Sequence, residues 1–162
     1  MFRIIFALLT CVFITQSARA EEFSRHFGEW RLHCFDAKAV THDNCFVMQQ
    51  FATEGYMVRV IVQADETKQL KMQFILPANA RHSRFLNILT DTHTKWKLAF
   101  IRQCWDSYCE SVPIGTSSFP KERLIIGFDI SPGDGIRMDI PMDGFNEAIS
   151  ALSKRLKIPS RR

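Results

Sequence analysis

The chain has 162 residues, of which 46% are apolar, 12% aromatic and 23% charged, with only 7 Gly and 6 Pro. This composition excludes a disordered, collagen-like or low-complexity chain and is typical of a globular protein with a hydrophobic core. The net charge of +4 is too small an excess to favour nucleic acid as a partner, because nucleic-acid binding depends on a concentrated basic surface.

The first twenty residues have the parts of a secretory signal peptide. Arg3 supplies the positive charge, Ile4–Ile14 is apolar, and Ala18-Arg19-Ala20 supplies the small residues that precede a cleavage site. The apolar stretch is about eleven residues long, whereas a membrane-spanning helix needs roughly twenty. We therefore predict a signal peptide over 1–20 and a single β-rich domain over 21–162, with no transmembrane segment in the mature chain. Loss of Arg3 and Arg19 lowers the net charge from +4 to +2.

Alternation of apolar and polar residues with a period of two predicts strands through most of the mature chain. The clearest runs are Leu70–Leu76, Trp96–Ile101 and Ile136–Met142, and Gly133-Asp134-Gly135 is interpreted as a hairpin turn before the last of them. Short turn-forming stretches separate the strands, which favours an antiparallel β-sandwich or a small barrel-like fold. The other predicted strands are Trp30–Cys34, Cys45–Phe51, Met57–Gln63, Phe85–Leu89, Tyr108–Val112 and Leu124–Ile130.

One helix is predicted, at the C-terminal end of the chain. Phe145, Ile149, Leu152 and Leu156 recur at the spacing of one helical face. Asp143 or Gly144 precedes the helix as a candidate cap, so the prediction is a helix over about 144–157 whose apolar face covers the sheet.

Four cysteines remain after removal of Cys11 with the signal peptide, and an even number in an exported chain predicts two disulfides. Three connectivities are open. We favour Cys34–Cys45 and Cys104–Cys109, because each pair flanks a polar, turn-like stretch between two predicted strands. A metal site that His33 or His42 would join is the alternative, but the spacings C-x10-C and C-x4-C and the predicted export favour oxidation. We therefore predict no metal and no cofactor.

No catalytic motif is recognisable in the sequence. The five histidines lie outside known zinc and nucleophile motifs, and no G-x-S-x-G occurs. A small exported hydrolase whose active site is assembled from separate strands stays open as an alternative, since such a site leaves no local pattern.

Two surface features are candidates for recognition of a partner. Trp105 and Tyr108 lie within the short predicted disulfide loop, where aromatic rings offer contact area at low entropic cost. Packing of both rings on the end of the core is the alternative. Arg81 and Arg84 lie in a basic, polar segment after Pro77, which suits either an anionic partner or a solvated loop.

The sequence resembles the invasion-associated locus B family of exported bacterial proteins. The resemblance rests on Phe27-Gly28-Glu29-Trp30-Arg31-Leu32-His33-Cys34, on Cys45-Phe46-Val47-Met48-Gln49, on the pair Cys104 and Cys109, and on Ile136–Leu152 with Gly144-Phe145 opening the helix. It covers most of the mature chain, with departures over 79–95 and 113–123.

The resemblance implies an all-β fold, a periplasmic or cell-surface location and an association with host-cell entry, and it implies no catalytic residues. Together these observations predict an exported, non-enzymatic protein that binds a protein or glycan partner. Peripheral association with the outer membrane is left open.

Overall fold

The computed structural model describes residues 22–38, 40–91, 97–115, 120 and 122–158, so the predicted signal peptide over 1–20 lies outside it. Most of the described chain is in β-strands, and one α-helix, α1, follows them. A short 3-10 helix, Ala78–His82, lies between the fifth and sixth strands. The elements are β1 (Phe23–Phe27), β2 (Trp30–Cys34), β3 (Cys45–Thr53), β4 (Tyr56–Ala64), β5 (Leu70–Pro77), β6 (Phe85–Thr90), β7 (Lys97–Cys104), β8 (Tyr108–Ser111), β9 (Ile114–Gly115), β10 (Leu124–Ser131), β11 (Asp134–Ile140) and α1 (Phe145–Arg155).

The strands form one antiparallel sheet that folds over on itself. Its order is β1-β2-β3-β4-β5-β8-β7-β6-β10-β11, and β9 pairs with β5. In the described residues β1 pairs only with β2 and β11 only with β10, so the sheet is not closed. The predicted sandwich therefore describes the fold better than a closed barrel does.

Alternation along the strands places a shared core between the two halves of the sheet. In β3 and β4, for example, Val47, Val58 and Val60 are fully buried. They belong to the same hydrophobic cluster as Leu86 and Phe128 in the other half. At about 25 cal/mol per Å² of buried apolar surface, this cluster supplies the main stabilisation of the fold.

The helix packs against β1, β2 and β3 through the face that the sequence predicts. Phe145, Ala148 and Leu152 are fully buried there. The helix is shorter than the predicted 144–157, because Gly144 takes a left-handed conformation before it and Leu156 ends it.

The turn between β1 and β2 meets the segment that leads into the helix. The Trp30 indole Nε1 donates a hydrogen bond of 3.1 Å to the Pro141 carbonyl oxygen, and its ring lies edge-on to Phe145 at 4.6 Å. Gly28 lies against Asp143, and Gly144 lies against the Phe27 carbonyl group. These contacts join the two end regions of the open sheet.

The two disulfides connect Cys34 with Cys45 and Cys104 with Cys109, which confirms the favoured connectivity. Each joins residues that face one another across neighbouring strands, β2 with β3 and β7 with β8. Cys34, Cys45 and Cys109 are fully buried.

The sequence analysis missed two strands, and within the turn-forming stretch 131–135 it centred the hairpin turn on 133–135. β1 is largely exposed, so it lacks the buried apolar alternation that identifies a strand, and β9 has only two residues. The β10–β11 turn is centred on Pro132-Gly133 rather than on 133–135, because Pro132 and Gly133, with a φ of 83°, suit a tight turn, while Asp134 and Gly135 already pair with β10.

Candidate binding groove

A groove of about 490 Å³ opens where β7 changes its pairing partner. The first half of β7 pairs with β6, and from Ile101 onward β7 pairs with β8, with an irregular register between Ile101 and Gln103. An irregularity of this kind bends a strand and redirects its side chains. The 3-10 helix and the residues after it form the second wall, and the two walls meet where the Ile101 N–H donates to the Arg84 carbonyl oxygen. We name this site the arginine groove; its lining residues are Arg81, Ser83, Arg84, Phe85, Phe100, Ile101, Arg102, Gln103 and Cys104.

Three arginines line the groove, and they fall into two kinds. Arg81 donates from Nε to the Ala78 carbonyl oxygen at 2.9 Å and from Nη2 to the Trp105 carbonyl oxygen at 3.1 Å. Arg84 and Arg102 are exposed, and no carboxylate within the described ranges forms an ion pair with either of them. Arg81 therefore holds the backbone, whereas Arg84 and Arg102 present their guanidinium groups to solvent.

One aromatic pair lines the groove, and a second pair lies on the loop that follows Cys104. Trp105 and Tyr108 stack at 4.7 Å on the loop that the Cys104–Cys109 disulfide closes, and Trp105 is 37% exposed. Phe85 and Phe100 face one another across β6 and β7 at 5.0 Å, and Phe100 is 61% exposed. One pair lies on a loop that is closed by a disulfide, and the other lies on paired strands. Exposed aromatic rings held in this way lose little conformational entropy when a ligand covers them.

Asp106 and Glu110 carry carboxylates on the loop after β7 and on β8. Asp106 is exposed in the same loop as Trp105. Glu110 faces Gln103 across β7 and β8, and its Oε2 accepts a hydrogen bond of 3.3 Å from the Gln73 side chain. The wall formed by Arg81 and Arg84 carries no acidic side chain, so this side of the groove attracts anions.

The structure brings the four predicted recognition residues to one place. Arg81 contacts the Trp105 carbonyl group, Trp105 stacks on Tyr108, and Arg84 lines the same groove. Their role in recognition stays a prediction.

Sequence reasoning missed Arg102 and Phe100 as members of this site. Leu98 and Phe100 lie on the side of β7 that alternation assigns to the core, yet they are 57% and 61% exposed, while Ala99 is buried. The alternation was visible in the sequence, but the face that it buries was not. Trp96, the first residue of the predicted run, lies outside the described residues.

A second groove, of about 500 Å³, lies beside the β1–β2 turn. It carries both signs of charge, since Glu29 lies there with Arg31 and His26, and Gln50 is bound by the Arg59 guanidinium at 2.9 Å. Mixed charge gives this groove less selectivity for an anion than the arginine groove has.

The described histidines do not gather in one place. His26 lies on β1, His33 on β2, His42 in the loop before β3, and His82 in the 3-10 helix; His93 is outside the described residues. His33 Nε2 lies 3.2 Å from a Glu22 carboxylate oxygen, and His42 Nε2 lies 2.9 Å from an Asp43 oxygen. In the described part of the chain, no three His, Cys, Asp or Glu side chains are placed to hold a metal ion.

No family model matches the chain, and no curated protein matches it. Among solved structures, the fold is similar to invasion associated protein b from Bartonella henselae, with a TM-score of 0.66 and 18% sequence identity over 83% of this chain and 99% of that chain. At this identity the likeness establishes the fold alone. This fold agrees with the one that the family resemblance of the sequence implies.

Proposed function

We propose that this protein is an exported, non-enzymatic binding protein that recognises a protein or glycan partner in the periplasm or at the cell surface. The arginine groove is its binding surface. A part in host-cell entry belongs to the same proposal, and the fold likeness to an invasion associated protein supports it.

The observation that carries the proposal is the combination of charge and rigidity in the groove. Arg84 and Arg102 present planar guanidinium groups without acidic partners in the described residues, beside aromatic rings fixed by a disulfide and by strand pairing. A guanidinium left open to solvent is suited to bidentate contact with a carboxylate, sulfate or phosphate group.

Export is supported by covalent structure as well as by the predicted signal peptide. Both disulfides form between cysteines on neighbouring strands, and disulfides persist in oxidising compartments such as the periplasm. The one α-helix of the described ranges is too short and too polar to cross a membrane.

Binding of the labelled mature protein to host-cell surfaces tests the proposal. The Arg84→Glu/Arg102→Glu variant reverses the two open charges of the groove, and Lys68→Glu/Lys154→Glu makes the same change in net charge at exposed positions outside it. We expect the control to bind like the wild type and the groove variant to lose most of its binding. Equal binding by the groove variant would overturn the proposal.

The hydrolase alternative has its own measurement. The purified protein is incubated with ester, peptide and glycoside substrates, and turnover is followed with and without single polar substitutions. A robust turnover that disappears on changing one polar residue, with the fold intact by circular dichroism, would replace the binding proposal.

A further inference from the structure

We infer that the ligand of the arginine groove is an acidic glycan, whose carboxylate or sulfate groups bind Arg84 and Arg102 and whose sugar rings stack on Phe100 and Trp105. This inference rests on the proposed function and narrows it from protein or glycan to one chemical class.

The arginines fix the charge of the ligand. Arg84 follows the 3-10 helix and Arg102 lies on β7, so each wall of the groove supplies one cation. Each guanidinium presents a planar fork of N–H donors that fits two oxygens of one acidic group. A ligand that contacts both arginines is therefore acidic.

The aromatic pairs fix the shape of the ligand. Phe100 and Trp105 are five residues apart on the strand and its following loop, a span of at most about 16 Å at roughly 3.3 Å per residue. Arg102 and Gln103 lie between them. Phe100, Arg102 and Gln103 line the groove, and Trp105 follows Cys104, so this wall combines aromatic rings with a cation and an amide. An acidic oligosaccharide presents this pattern, since its rings have apolar faces and its edges have acidic groups and hydroxyls.

The backbone of the groove favours a glycan over an extended acidic peptide. A peptide bound in this way gains affinity mainly from hydrogen bonds to main-chain groups of an open strand. Here the Ile101 N–H already donates to the Arg84 carbonyl oxygen at 3.3 Å, and the Trp105 carbonyl oxygen already accepts from Arg81. The walls are paired with each other, so they offer side chains rather than a strand edge.

Arg81 acts as a positioning residue for this site. Its guanidinium is engaged by two backbone carbonyl groups, one on each wall, and it ties the Trp105 loop to the 3-10 helix. It therefore fixes the distance between the walls and leaves the anion contacts to Arg84 and Arg102.

Calorimetric titration of the mature protein with four defined probes tests the inference. The probes are alginate oligosaccharides with carboxylates, dextran sulfate, neutral dextran, and polyglutamate as an acidic chain without sugar rings. We expect at least one acidic glycan to bind and neutral dextran not to bind. Arg84→Gln/Arg102→Gln should weaken glycan binding about tenfold or more, because the variant loses the charged hydrogen bonds of both guanidinium groups.

The stacking contact is tested with a matched pair of variants. Phe100→Ala should weaken binding of the acidic glycan about fivefold. Phe35→Ala should leave it unchanged, because Phe35 is equally exposed, at 60%, but lies outside the groove. Phe100→Ala should not alter binding of polyglutamate, which has no ring to stack on it.

The outcomes separate this inference from the proposed function. Polyglutamate binding as tightly as the acidic glycans, with no effect of Phe100→Ala, overturns the glycan assignment and identifies an acidic protein as the partner class. The same conclusion follows if neither acidic glycan binds while host-cell binding still depends on Arg84 and Arg102. If host-cell binding does not depend on them, the proposed function itself fails.

Discussion

Replacement of Gly144 by alanine tests the contact that joins the two end regions of the sheet. Gly144 has a φ of 78°, and a Cβ atom there would lie well inside 3.0 Å of the Phe27 carbonyl oxygen and 2.7 Å from the Gly28 nitrogen. All of these neighbours are backbone atoms, so no side chain can rotate away. The segment before the helix must move, which loosens the Trp30–Pro141 hydrogen bond and the packing of Trp30 on Phe145.

The magnitude of this effect has two parts. A left-handed conformation costs a residue with a Cβ atom about 1–2 kcal/mol. Insertion of a methyl group into a filled space costs about 1–3 kcal/mol more. We therefore expect Gly144→Ala to lower the free energy of unfolding by about 2–5 kcal/mol.

Two other glycines supply the control. Gly55 and Gly133 also have positive φ angles, of 81° and 83°, but nothing lies within 4 Å of the position of their Cβ atoms. Gly55→Ala and Gly133→Ala should each cost only the conformational part, about 1–2 kcal/mol. Urea unfolding of the three variants measures the difference. The close contact between the two end regions is refuted if Gly144→Ala destabilises no more than the controls do.

The remaining predictions concern the disulfides, one carboxyl group and the Arg81 contact. Replacing Cys34 and Cys45 by alanine should lower the free energy of unfolding by about 2–5 kcal/mol, and replacing Cys104 and Cys109 should lower it less. The reason is that chain entropy predicts about 2.8 kcal/mol for a loop of about 12 residues and about 2.2 kcal/mol for one of about 6. Urea unfolding that ranks the pairs in the opposite order would contradict this reasoning. A hydrogen bond from the Thr67 hydroxyl, followed by one from the Gln69 N–H and by the Lys71 ammonium, lowers the pKa of Asp65 from 3.8 to about 2. This carboxylate therefore stabilises the fold above pH 4 and loses that contribution as the pH falls toward 2. Thr67→Ala should raise the pKa of Asp65, which a carbon-13 NMR titration measures. An unchanged pKa in that variant would contradict the assigned cause. Arg81→Ala should shift the indole resonance of Trp105 and speed amide exchange in residues 105–108, whereas Lys68→Ala should alter neither, and an undisturbed loop would mean that Arg81 does not hold it.

Local patterns in the sequence were enough to predict most strands, the helix and the cysteine pairing. Alternation identified β3, β4 and β5 because each has one buried face over several residues. The disulfides were predictable because each connects residues that become neighbours as soon as two adjacent strands pair. The exposed edge strand β1 was missed, since a strand with no buried alternation leaves no periodic signal.

The tertiary structure alone decided which of these elements meet to form the groove. Arg81 and Trp105 are 24 positions apart, and Arg84 and Arg102 come from elements that are neighbours only because β7 pairs with β6 and then with β8. The same holds for Gly144, which the sequence identified as a candidate helix cap but whose contact with Phe27 joins opposite ends of the chain. A periodic pattern reports that a strand has two faces, but which face is covered, and what lies across a groove from it, depends on contacts between residues that are distant in sequence.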